Sequence, residues 1–73
     1  MGKEIQFTVF CIESYKVAHN LTGKKTLELF KEYEVFSYID SFYDLLHSTG
    51  AGYLVKDIDK YIENRRNKKY PTN

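Results

Sequence analysis

Between Val35 and Ser48 the chain reads VFSYIDSFYDLLHS, and its polar positions come into register only when the segment is wound as a helix. At about 3.6 residues per turn, Ser37, Asp40, Ser41, Asp44 and Ser48 share an arc of roughly 100°. The rest of the circumference is Val35, Phe36, Tyr38, Ile39, Phe42, Tyr43, Leu45 and Leu46, with His47 beside them. A helix so apolar needs cover on several sides. It is expected to be the central element of a small helical domain.

The flanking segments read as helices too. In Lys3 to His19, Ile5, Val9 and Ile12 recur at helical spacing, flanked by Thr8, Cys11, Tyr15 and Ala18 on one broad face. The start, EIQFTVFCI, also fits a strand, but the pattern continues beyond the length usual for one. Phe10 and Val17 fall near the polar side, either as a candidate contact patch away from the core or packed against a neighbouring loop. A turn at Asn20–Gly23 follows, with Thr22 as N-cap of a second helix from Lys24 to about Tyr33. That helix turns Leu27, Phe30, Leu29 and Tyr33 inward. The central helix should end at Ser48-Thr49-Gly50, with Gly50 as a left-handed cap and Gly50 and Gly52 allowing tight backbone approach. A last helix is expected from about Leu54 to Asn67, with Leu54, Val55, Ile58, Tyr61 and Ile62 as its buried stripe. Asp57 and Asp59 in its early turns, and Arg65, Arg66 and Lys68 in its last, suit the helix dipole. The expected fold is all-α, three to four helices around residues 35–48. Residues 1–73 form one domain, with a basic tail fraying from about 68.

Composition sharpens this picture. Seven Tyr and five Phe in seventy-three residues exclude a disordered chain and exceed what so small an interior encloses, so some aromatic faces should remain at the surface or meet a partner. The single cysteine, Cys11, rules out an internal disulfide, and no apolar run is long enough for a signal peptide or membrane span. The expected location is the cytoplasm, with no membrane association. The net charge of +1 is uneven. Arg65, Arg66, Lys68 and Lys69 gather four of the eleven cations, leaving seven against ten acids, so the body is about −3. An acidic body argues against a general nucleic-acid surface.

Candidate chemistry is sparse. Asp40, Asp44 and His47, at i, i+4 and i+7, are a weak candidate metal site, because one helix supplies every ligand. Cys11 sits among Phe7, Val9, Ile12 and Tyr15, an apolar setting that raises a thiol pKa and makes it buried filler. His19 has no carboxylate at helical spacing. There is no CxxC, HExxH, glycine-rich phosphate loop or GxSxG. Neither an enzyme nor a cofactor is expected.

Three stretches carry a family resemblance: FTVFCIESYK over residues 7–16, LTGKKTLELFKEY over 21–33, and YIDSFYDLLHSTGAGYLVKDIDKYI over 38–62. Together they resemble a family of small bacterial proteins classed as a domain of unknown function. The resemblance implies a compact helical fold and a gene neighbourhood often containing proteins similar to ADP-ribosyltransferases. It supplies no catalytic residues. The expected function is non-enzymatic protein–protein interaction, as an antitoxin-like or accessory subunit, with a protein partner or a second copy in a homodimer. Phe10, Val17, Tyr53 and Tyr70 are the candidate contacts. The alternative is a small nucleic-acid-associated regulator using Arg65, Arg66, Lys68 and Lys69.

Overall fold

The computed structural model describes residues 3–69, with side chains from 4 to 67. It is all-α. Five helices follow one another among the described residues: α1 (Lys3–Ala18), α2 (Gly23–Glu32), α3 (Val35–Ser41), α4 (Tyr43–Leu46) and α5 (Ala51–Lys69). The ambiguous start, residues 4–12, is helix and not strand. α1 packs against both α2 and α5, while α3 touches each of the other four. Every helix that meets in the core contributes to it: Cys11 and Tyr15, Phe30, Val35 and Ile39, Leu46, then Leu54, Ile58 and Ile62. Phe30 is fully buried and meets Tyr15 and Phe36 edge-on, at 5.4 and 5.6 Å between ring centroids.

The first turn follows from its side chains. Leu21 N–H donates to the Lys16 carbonyl at 2.9 Å and Asn20 N–H to Val17 at 3.2 Å, with Asn20 left-handed at φ 54°. This is a Schellman arrangement with asparagine in the position glycine most often takes. Thr22 then caps α2 as expected, its Oγ1 accepting from Lys25 N–H at 3.1 Å.

Several expectations are corrected. The segment 35–48 is not one helix covered all round. It bends at Phe42 (φ −114°, ψ 28°), whose carbonyl accepts from both Leu45 and Leu46. The bend carries Leu46 into the core and leaves Phe42 and Leu45 half to two-thirds exposed. Only its first half, α3, holds the central place. Gly50 is not left-handed: no described glycine has positive φ, and a Cβ at Gly50 or Gly52 would meet nothing within 4 Å. The hydroxyls of Ser48 and Thr49 finish α4 instead, donating to the Leu45 carbonyl at 3.0 and 3.2 Å. On α1 the buried line is Phe7, Cys11 and Tyr15, so Ile5 and Val9 face outward. On α2, Leu27 is exposed, and Thr26 is buried in its place because its hydroxyl is satisfied within the helix by the Thr22 carbonyl. α5 begins at Ala51, three residues before the expected start, so Asp57 and Asp59 lie beyond its first turn and owe little to its dipole. The α5 helix continues through Lys69, and the rest of the predicted frayed tail lies outside the described residues.

Glu34 is the residue most at odds with its backbone, sitting left-handed at φ 57° between α2 and α3. Tyr61 and Arg65 hold it there. The Tyr61 hydroxyl donates to its carbonyl and Arg65 pairs with its carboxylate at 3.2 Å. A left-handed residue with a Cβ is strained by roughly 1–2 kcal/mol. Glu34→Gly should therefore keep or raise stability despite losing the carboxylate, whereas Glu34→Val should lower it by about 2 kcal/mol. Urea denaturation of both variants measures the difference.

Candidate functional site

Phe10 and Val17 stand two turns apart on α1, 46% and 74% exposed. Beside them Ser14 and Ala18 are small, and across from them the first turns of α5 present Ala51, Gly52 and Val55. These two walls enclose an open groove of about 610 Å³ whose lining is overwhelmingly apolar. The charged residues on it are Glu13 on the α1 wall and Lys56 on the α5 wall. Past Gly52 and Lys56 the surface continues into a second concavity beside Tyr53, which is 71% exposed. Phe10 and Val17 thus line the groove itself, and Tyr53 lines the concavity that adjoins it. Tyr70, the fourth candidate contact, lies outside the described residues. A contiguous bare apolar face on a small domain is the surface that macromolecular partners cover.

A second cluster joins α1 to α5 beside this groove. The Tyr15 hydroxyl donates to Asp59 Oδ1 at 2.7 Å, and His19 Nε2 lies 2.9 Å from Asp59 Oδ2. The Tyr15 and His19 rings sit 4.3 Å apart. Sequence reasoning found no carboxylate for His19 because it searched within the helix, and the partner is forty residues away. The signal available was the i, i+4 spacing of Tyr15 and His19 at the end of α1. Burial, then the hydrogen bond to Asp59, pushes the Tyr15 hydroxyl well above the ordinary phenol range. It is a donor locked onto a carboxylate and not a nucleophile. The trio is a cross-link between helices.

The remaining candidates are accounted for by local partners. Burial pushes the Cys11 thiol up to about 12, the opposite of activation. His47 donates from Nδ1 to the Tyr43 carbonyl at 2.8 Å and stacks on the Tyr43 ring at 4.6 Å. Asp44 does not orient it. Among the described residues no three His, Cys, Asp or Glu side chains are placed to hold a metal ion, so Asp40, Asp44 and His47 do not come together as one. Of the four cations in the basic cluster, Arg65 pairs with Glu34 and lies 5.7 Å over the Tyr61 ring. Arg66 donates to the Tyr33 hydroxyl at 3.3 Å and covers the Tyr33 ring. The Lys68 and Lys69 side chains lie outside the described residues. Among the described residues no helix is long and apolar enough to cross a membrane.

Residues 6–65 match the family model described as "Protein of unknown function (DUF3791)". The chain belongs to this family. The matched stretch takes in both walls of the groove and the Tyr15–His19–Asp59 cross-link, and it stops before Arg66, Lys68 and Lys69. No curated protein and no solved structure matches the chain.

Two outcomes follow from the buried groups. Asp59→Ala strands the part-buried Tyr15 hydroxyl and should lower unfolding stability by about 1–2 kcal/mol. Asp59→Asn keeps an acceptor for Tyr15 and alters only a partly exposed contact with His19, so it should lose under about 1 kcal/mol. Urea denaturation of the two variants separates the contributions. Cys11 and Tyr15 are both held neutral in the fold and ionise sooner when the chain unfolds. Their contribution is intact below the ordinary thiol value of 9.0 and lost as pH rises toward about 12. Urea midpoints should fall through that alkaline range, and less steeply in Cys11→Ala.

Proposed function

We propose that this chain is a non-enzymatic protein–protein interaction module, an antitoxin-like or accessory subunit. The observation that carries the reading is the apolar groove between α1 and α5, flanked by Phe10, Val17 and Tyr53. Exposed aliphatic and aromatic side chains gathered on one face lose free energy in water and gain it against a partner, at about 25 cal/mol per Å² of apolar area covered. The groove also lies within the family match, so it belongs to the domain and not to an appendage. The partner expected is an ADP-ribosyltransferase-like protein encoded nearby in a bacterial, cytoplasmic setting, as the resemblance implies.

The nucleic-acid alternative draws less support. Arg65 and Arg66 are already engaged by Glu34, Tyr33 and Tyr61, and a phosphate would have to compete for them. Of the basic cluster, that leaves Lys68 and Lys69 to carry it.

The test is affinity capture of the tagged chain from its native host, run beside Val17→Lys. Val17 is so exposed that the lysine leaves the fold intact, which far-UV circular dichroism verifies. A neighbouring protein recovered in fixed proportion by the parent chain, and at least about tenfold less by the variant, supports the module. Capture indifferent to Val17→Lys, or dominated by nucleic acid until Lys68 and Lys69 are neutralised, overturns it.

A further inference from the structure

We infer that in the isolated protein the occupant of the α1/α5 groove is a second copy of the same chain, an inference that rests on the groove being a protein-docking face. Each wall mixes large and small side chains: the α1 wall carries the exposed Phe10 and Val17 beside Ser14 and Ala18, and the α5 wall carries Ala51 and Gly52 beside Val55 and Lys56. A copy turned about a two-fold axis along the groove sets each α1 wall on the other's α5 wall. The same α1-on-α5 contact is then made twice over, as an isologous interface requires.

The charges follow the same rule. Glu13 belongs to α1 and Lys56 to α5, so the rotation that sets α1 on α5 also brings the wall bearing Glu13 of each copy to the wall bearing Lys56 of the other. Glu13 touches Lys16 in its own helix at 3.2 Å through Oε1. That contact is solvent-exposed and contributes little. An unrelated acidic or basic partner would leave one of the two rim charges facing its like. Only a partner with one charge of each sign, in crossed positions, satisfies both.

Size sets the strength. Nine residues line the groove, where a standard stable interface uses about 20–30 a side. The dimer is therefore of the small, exchanging kind, open to displacement by a tighter partner.

Sedimentation equilibrium of the full chain from about 1 µM to about 1 mM, at low salt, reads the association directly. The parent chain should pass from monomer to dimer across that range. Glu13→Lys and Lys56→Glu each place like charges at both crossings, and each alone should weaken association at least about tenfold. An equimolar mixture of the two single variants has opposite charges at both crossings. It should form the heterodimer with an affinity within about threefold of the parent, as should the Glu13→Lys/Lys56→Glu double variant. Far-UV circular dichroism checks that each surface variant is folded. A parent chain that stays monomeric to about 1 mM overturns the inference, as does a dimer that neither single variant weakens. Neither result touches the docking face itself, which Val17-dependent capture reads separately.

Discussion

A domain of this size has too little interior for the apolar surface it carries. Surface grows relative to volume as chains shorten, and seventy-three residues leave a core of about one layer between helices. Twelve aromatic rings and the aliphatic residues of α1 and α3–α4 compete for that layer. The outcome is uneven. Phe30, Val35, Leu54 and Ile58 are wholly enclosed, while Val17, Leu45 and Tyr53 are mostly bare. The groove exists because of this shortage. α1 carries apolar residues on several sides, and the helices packed against it, α2, α3 and α5, cover the side bearing Cys11 and Tyr15.

Polar chemistry works mainly to fix that arrangement. Asp59 draws the end of α1 onto α5 through Tyr15 and His19, and Arg65, Arg66 and Tyr61 bind the far half of α5 to the turn between α2 and α3. The two sets lie on successive turns of one helix, so α5 acts as a spine to which the other elements are tied at two heights. Among the described residues, no buried side-chain nitrogen or oxygen lacks a partner. The groups that looked like candidates for chemistry are in large part the groups holding the helices in place.

What was legible in the sequence follows from range. Short-range patterns were readable: the Thr22 cap, the Leu54–Ile58–Ile62 stripe at i, i+4, i+8, and the all-helical class. Where apolar residues lie on several sides of a helix, periodicity has little contrast: the inward face of α1 was read as Ile5, Val9 and Ile12 with Cys11 and Tyr15 among their flanks, and of these Ile5 and Val9 are exposed while Phe7 packs against the core. The bend at Phe42 carries no proline or glycine to announce it. It arises because Leu46 and Tyr43 find tertiary partners, including Phe7 edge-on to Tyr43 at 5.5 Å. The cross-link at Asp59 spans forty residues or more, and the i, i+4 spacing of Tyr15 and His19 does not say which carboxylate they meet.

The groove was half legible, and the hidden half is the instructive one. Phe10 and Val17 are conspicuous as apolar residues on the wrong side of a helix. Their opposite wall was not, because Ala51-Gly52 reads as a turn: glycine is a poor helix former, and two glycines within three residues suggest a chain changing direction. Yet both residues stand in the first turn of α5. Larger side chains there would fill the space facing Ser14 and Ala18, for nothing lies within 4 Å of a Cβ at Gly52. The small residues keep a recess open, which is a different use of glycine from the turn their spacing advertises.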